Sequence, residues 1–309
     1  MIAAITMNVS VDRKYIVENS HIGKVNRVRE CVVTAGGKGV NVARIIHALG
    51  EPIIAGGIAG GNFGRFVCEQ LDVQNIQHQF THVQGESRCC INICDVTTGQ
   101  QTEYLEPGLP VSCEEMDAFF EDYRELCHLC NVLTISGSLL KGMDTDTYAR
   151  LIEIAREMGR PVLLDTSGEA LIRSISARPF YIKPNESEVN ALYPCDIEKA
   201  EDVAQGAYHL VESGIERVVV SMGSRGALMA SKEGIILGKP PVIQPINTVG
   251  CGDAMTAAFA IAAEKGMNPA ESMKYAIAIS AASALHPQTG GIHVADFREI
   301  FHKVDIITI

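Results

Sequence analysis

Positive charge is scarce in this chain. Its 309 residues hold 26 Lys and Arg against 37 Asp and Glu, a formal net charge of -11. A surface that grips nucleic acid needs stripes of Lys and Arg along the phosphates, so no nucleic-acid partner is expected. Long hydrophobic runs are also missing: none reaches the ~20 residues a membrane helix needs, and no membrane association is expected. The opening Met1-Ile2-Ala3-Ala4-Ile5-Thr6-Met7-Asn8 reads as a strand with neither basic flank nor cleavage pattern, unlike a signal peptide. A soluble, cytoplasmic protein is the expectation. Two nucleotide motifs are absent. Without G-x-x-x-x-G-K-[ST] the chain is not a P-loop enzyme, and without G-x-G-x-x-G a dinucleotide-binding oxidoreductase is disfavoured. Ten cysteines are scattered through apolar segments, as small buried hydrophobes would be. Cys127-His128-Leu129-Cys130 has C-x-x-C spacing but no second pair to complete a zinc tetrahedron. Cys89 and Cys90 point to opposite faces of a strand and cannot chelate together.

What is present is a large core and a strong rhythm. Apolar residues make up 47% of the chain and charged ones 20%, the balance of a globular protein. Unbroken apolar runs at 53–58, 132–136, 162–165, 181–183 and 218–221 read as strands. Helical patterns at 40–49, 63–71, 114–126, 145–158 and 200–212 separate or follow them. Buried strands alternating with helices predict an α/β fold: a three-layer domain with a central, mostly parallel sheet flanked by helices. After about residue 250 the pattern is two long helices, 251–265 and 269–285, then a short one at 297–302. Segments 11–34 and 86–106 break the rhythm with alternating polar and apolar residues. They predict a small antiparallel sheet inserted into a single domain spanning 1–309, placed as a lid that excludes water. Its exposed strand edges invite pairing, which suggests a homodimer through the lid.

One stretch organises the rest. Gly250-Cys251-Gly252-Asp253 joins a Pro-rich loop to a long apolar helix. Unpaired amides and the helix dipole make such a start a socket for phosphate. A carboxylate placed there repels the ligand unless it takes a proton from an attacking hydroxyl. The alternative is a plain N-cap. Three further stretches carry the same ambiguity. Gly36-Gly37-Lys38-Gly39 with Asn41 can hold a phosphate or hydroxyl, or be an ordinary glycine turn. Lys183-Pro184-Asn185 with Glu188 can hold Mg²⁺ through water, or form a capping box. Ser221-Met222-Gly223-Ser224-Arg225-Gly226 can meet a nucleotide at a strand end, or simply turn.

Taken together and in this order, these stretches resemble the ribokinase family of PfkB-type carbohydrate kinases, over essentially the whole chain. Within it, Asp12, Val25-Asn26-Arg27, Gly85-Glu86-Ser87-Arg88, Thr102-Glu103-Tyr104-Leu105-Glu106, Ile135-Ser136-Gly137-Ser138-Leu139 and Gln288-Thr289-Gly290 resemble the branch of tagatose-6-phosphate kinases and 1-phosphofructokinases. Two positions depart from the pattern: Cys251 stands where Ala or Ser is usual, and Asn8-Val9-Ser10 lacks a proline common after the Asn. The resemblance implies ATP-dependent phosphorylation of a ketohexose monophosphate, with Mg²⁺. Asp253 would be the base, with the amides of Gly250, Cys251 and Gly252 facing the transferred group. Asp12, Gly36, Gly37, Asn41 and Ser136 would touch the sugar, and Lys38, Arg27 and Arg88 its phosphate. Lys183, Asn185, Ser221, Gly223, Ser224 and Gly226 would line the nucleotide site, with Glu188 organising Mg²⁺. The alternatives are a 6-phosphofructokinase, a kinase of an unphosphorylated sugar, and a non-catalytic sugar-phosphate sensor. A sensor needs no base, and an unphosphorylated sugar needs no basic trio.

Overall fold

Each apolar run becomes a strand and each periodic stretch a helix in a computed structural model that describes residues 1–108, 110–194 and 199–308. The chain opens with β1 (Ile2–Thr6), β2 (Ser10–Val17), β3 (Glu30–Gly36), α1 (Lys38–Ala48), β4 (Ile53–Gly60), α2 (Gly61–Val73), β5 (Gln77–Val83), β6 (Arg88–Asp95) and β7 (Gln101–Leu105). There follow α3 (Cys113–Leu129), β8 (Val132–Ser136), α4 (Thr147–Glu157), β9 (Val162–Asp165), α5 (Gly168–Ser174), β10 (Tyr181–Ile182), α6 (Glu186–Leu192), α7 (Ala200–Glu212) and β11 (Arg217–Ser221). The last part holds β12 (Ala227–Ser231), β13 (Gly234–Lys239), α8 (Cys251–Glu264), α9 (Pro269–Ala284), α10 (Val294–Phe301) and β14 (Asp305–Thr308).

A ten-stranded sheet runs in the order β14-β13-β12-β11-β10-β9-β8-β1-β4-β5. From β11 to β5 every neighbouring pair is parallel, while β12, β13 and β14 extend the sheet antiparallel. Alternating side chains enter opposite cores. Ile2 and Ala4 of β1 cluster with Val40 and Ile45 of α1 and Phe259 of α8. Ala3 and Ile5 cluster with Tyr123 of α3 and Tyr148 of α4. This two-sided burial is why the strands read as unbroken apolar runs. Each fully buried large side chain contributes about 1.5–3 kcal/mol. Cys127 and Cys130 belong to the second core, where burial pushes their thiols up to about 12 and about 11. Among the described residues no helix is long and apolar enough to cross a membrane.

The second sheet has the order β3-β2-β6-β7. Its outer pairs, β2 with β3 and β6 with β7, are antiparallel as expected, but the central pair β2 with β6 is parallel. The reason is connectivity. β1 and β5 are parallel members of the main sheet, and each feeds a strand of the small one, so β2 and β6 leave in the same sense. Register places Asp12 beside Thr34 and Cys90 on one face, and Val33, Arg13, Ile91 and Tyr104 in a row on the other.

Candidate active site

The carboxyl ends of the parallel strands meet the first turns of α1 and α8 at one rim. Gly250 is the N-cap of α8, with φ 88°. A Cβ there would be strained by that φ and would meet Thr289 Cγ2 at 2.8 Å, so the turn requires glycine. The Cys251 amide donates to Thr248 O at 3.3 Å. The amides of Gly250 and Gly252 make no hydrogen bond among the described residues and are free for an anion. Cys251 is half-buried, and burial together with the Asp253 charge pushes its thiol up to about 11. It is neutral and adds no charge to the socket.

Asp253 is the third residue of α8 and makes no capping bond. Its Oδ2 instead accepts from Asn41 Nδ2 at 2.8 Å. The N-cap alternative is thus set aside. Burial pushes this carboxyl up, the neighbouring Asp165 charge adds to that, and Lys38, Asn41 and Lys183 oppose; the outcome is about 6. Such a group is ionised at neutral pH and basic enough to accept a proton. Asp165, at the end of β9, is equally buried but differently partnered. Its Oδ1 accepts from Lys38 Nζ at 3.1 Å and lies 3.4 Å from Lys183 Nζ. Burial raises Asp165, but the charges and hydrogen bonds of Lys183 and Lys38 outweigh it and hold the carboxyl below the usual range. Lys38 shows the mirror image: burial lowers it, and Asp165 and Asp253 more than restore it. Lys183 is buried, and its ammonium lies 3.2 Å from where a Cβ on Gly252 would stand. Only a glycine leaves that approach open.

A cavity of about 620 Å³ opens between this rim and the small sheet. Lys38, Asn41, Arg44 and Asp253 stand on one side, and Asp12 and Arg88 on the other. Asp12 accepts from Ser10 Oγ at 2.6 Å. Its carboxylate occupies the space a Cβ on Gly36 would need, with the nearest atom 2.2 Å away. Burial raises Asp12, and Ser10, Arg88 and Arg44 oppose that in part. Arg88 Nη1 donates to Glu106 O at 3.3 Å, and its buried Nε has no partner among the described residues. Gly37 lines the cavity as N-cap of α1.

The nucleotide candidates form a second group. Asn185 caps α6, and both halves of the capping box exist: Asn185 Oδ1 accepts from Glu188 N at 2.9 Å, and Glu188 Oε2 from Asn185 N at 2.8 Å. Asn185 also bridges to Ser221 at the end of β11. Arg225 Nη2 reaches both oxygens of Glu186 at 2.6 Å, tying the loop of Gly223, Ser224 and Gly226 to α6. None of these residues lines the cavity.

Two expected substrate residues stand elsewhere. Arg27 is exposed on the segment between β2 and β3, away from this chain's cavity. Ser136 is fully buried at the end of β8 and off the cavity wall, its Oγ without a partner. Two residues were missed. Arg44, whose guanidinium is lowered by burial, follows Asn41 at i+3 on α1, a spacing that makes the two neighbours on one helix face. Asp165 ends an apolar strand, the position where ligands of parallel sheets are met.

A family model described as pfkB family carbohydrate kinase matches residues 5–294. The chain belongs to that family. Phosphofructokinase-2 from Escherichia coli, solved with potassium, is 28% identical, with TM-score 0.91 and 98% of each chain covered. A Thermotoga maritima protein named as a possible 1-phosphofructokinase is 25% identical, with TM-score 0.90, covering 100% of this chain and 99% of that one. The fold is also that of Arabidopsis thaliana ribokinase, at 19% identity and TM-score 0.79, covering 97% of this chain and 98% of that one. As a member of the pfkB family the chain is an ATP-dependent sugar kinase, and its phosphofructokinase neighbours support a sugar-phosphate kinase. The family implies ATP and a divalent cation.

Proposed function

We propose that this kinase transfers the γ-phosphoryl group of ATP to a ketohexose monophosphate, giving a bisphosphate and ADP, as tagatose-6-phosphate kinases and 1-phosphofructokinases do. The observation that carries the reading is the cavity itself: Asp253 stands at one end, and the guanidinium groups of Arg88 and Arg44 line its walls with Asp12 and Asn41. A sugar phosphate is a dianion, and Arg forks match phosphate oxygens. Asp12 and Asn41 supply hydrogen-bond partners for hydroxyls, with Gly36 and Gly37 letting the backbone come close.

The chemistry follows from positions. Asp253 takes the hydroxyl proton as the oxygen attacks the γ-phosphorus. The new O–P bond forms while the bond to the bridging oxygen of ADP breaks, and the proton later leaves Asp253 for solvent. Phosphoryl transfer depends mainly on alignment and charge. The amides at Gly250 and Gly252, the start of α8, and the Lys38 and Lys183 ammonium groups face the charge that spreads over the transferred group. Lys38 was expected at the phosphate already on the sugar. Its ion pair with Asp165 argues for the transfer point instead.

Mg²⁺ fits Glu188. Only Oε2 is used in the capping box, and the charge of Glu188 acts on Lys38. Bound there through water, the cation would neutralise phosphate charge. Lys183, Asn185, Ser221, Gly223, Ser224 and Gly226 would hold the nucleotide. The chain would act as one kinase domain whose segments 11–34 and 86–106 form the lid. The half-exposed row of Val33, Arg13, Ile91 and Tyr104 suits a lid-to-lid homodimer, and cytoplasmic location belongs to the same reading.

A 6-phosphofructokinase is the second reading. It is favoured by the similarity to E. coli phosphofructokinase-2 solved with fructose-6-phosphate, 27% identical with TM-score 0.89. An ADP-coupled assay with tagatose-6-phosphate, fructose-1-phosphate and fructose-6-phosphate side by side separates the two. Highest kcat/KM with fructose-6-phosphate moves the assignment to the second reading, and turnover of free hexoses alone sinks both.

A further inference from the structure

We infer that Asp165 is a positioning residue for the transfer step: one buried carboxylate that holds Lys38 and Lys183, from opposite sides of the reaction, in a single geometry and keeps both off the base. The inference rests on the kinase reading of this site and adds a residue to it.

Three elements converge on Asp165, which is 3% exposed. Lys38 opens α1 and donates to Oδ1 at 3.1 Å. Lys183 follows β10 and lies 3.4 Å from the same oxygen. Thr256, on α8 three residues after Asp253, has its single hydroxyl proton within reach of both Asp165 Oδ2 at 3.3 Å and Gly252 O at 3.1 Å. Asp165 therefore ties the helix that bears the base to both lysines. Lys38 is half-exposed and lines the cavity, whereas Lys183 is buried and does not line it.

Without Asp165 two ammonium groups would share a poorly solvated space with Asp253 as their remaining carboxylate. The charges that face Asp253 are Lys38 from α1, Lys183 after β10 and Asp165 from β9, with the Asn41 amide from α1. An ion pair with either lysine would depress its basicity and block the proton it has to take. Giving the lysines a separate counter-ion keeps Asp253 near 6 and leaves ammonium hydrogens for phosphoryl oxygens. Neutralising or lengthening Asp165 should consequently disturb both substrates at once. A lysine substitution should disturb one more than the other.

The test uses the full chain with Asp165→Asn and Asp165→Glu. Asp253 is followed by ¹³C NMR of carboxyl-labelled aspartate, its signal assigned by its loss in Asp253→Asn, and KM is measured for ATP and for the ketohexose phosphate. Asp165→Asn should lower the Asp253 midpoint by about 1 unit, raise both KM values roughly tenfold and cut kcat by ~10²-fold. Asp165→Glu keeps the charge, so the midpoint should stay within about 0.5 unit while both KM values rise ~3-fold. An unmoved midpoint in Asp165→Asn, or a KM change confined to one substrate, overturns the inference. Should Asp165→Asn fail to fold, the joint or separate movement of the two KM values in Asp165→Glu decides. If the wild type phosphorylates no ketohexose monophosphate, the substrate reading fails by itself, and the NMR midpoint, which needs no substrate, still decides the role of Asp165.

Discussion

The strand rim and the small sheet, which face each other across the cavity, are built of opposite materials. On the rim Asp253, Asp165 and Lys183 are all less than 9% exposed, and each is fixed by partners from other elements. On the small sheet β7 is exposed along its whole length, and the outward row ends in a Tyr104 that is 60% exposed. The rim can shift pKa values because water is excluded and charges act strongly there. The small sheet packs on the main body through α2, which lies against β2 and β3. It suits selection and closure better than proton transfer. The difference teaches a division: the carboxylates with shifted pKa values sit where burial is deepest, and the small sheet supplies the more exposed wall of the cavity.

The hardest blow to that division is aimed at the rim. Asp253→Asn should cut kcat by ~10²-fold or more, with KM for either substrate changed far less. The folded pKa of Asp253, about 6, lies above the unfolded value of ~3.9. Its contribution to stability is therefore present below ~4 and lost as pH rises through about 6. At pH 7.5 the Asn variant should melt at the same temperature or higher. Near-normal turnover would move the base elsewhere.

The wild-type pH profile comes next. Because Asp253 must be ionised to act, kcat/KM should fall about tenfold per pH unit below about 6. A limb that stays flat to pH 4.5 would mean that burial does not tune this carboxylate.

A substitution in the small sheet should look different. Arg88→Ala should raise KM for the sugar phosphate roughly tenfold, the loss expected for one charge-assisted contact, and leave KM for ATP within about twofold. Equal effects on both substrates would erase the distinction between rim and sheet.

The smallest effect is expected at Cys251→Ala. The thiol is neutral, and the socket is made by backbone, so kcat should stay within about threefold of wild type. Loss of activity on treatment with a thiol-directed reagent should, for the same reason, be slow at neutral pH.

How legible this was depended on range. The strands at 132–136 and 162–165 and the helix at 200–212 follow from local periodicity and appear with the same bounds. The antiparallel run β12, β13 and β14 was not foreseen, since short strands around Gly234 and near the chain end carry weak periodicity. Gly250-Cys251-Gly252-Asp253 was visible as a socket with a carboxylate, and the family resemblance implied a base there, but the Asn41 contact that sets the N-cap alternative aside was not visible. Arg27 and Arg44 illustrate the same limit. Arg27 sits in a stretch that resembles a branch of the family, yet in this chain it is exposed and does not line the cavity. Arg44 has no such motif and stands on the wall.

What the sequence by itself determined is the layered fold, the two glycine junctions that start α1 and α8, and the residue types available at the rim. Periodicity and glycine act over a few residues, so they can be read in a line. Tertiary structure alone decided how differently the two buried carboxylates of the rim are partnered. Asp165 and Asp253 are chemically identical side chains. Burial raises both, but Lys183 and Lys38 outweigh it at Asp165, whereas at Asp253 burial and the Asp165 charge outweigh Lys38, Asn41 and Lys183, in a space where desolvation and Coulomb interactions act over a few ångströms.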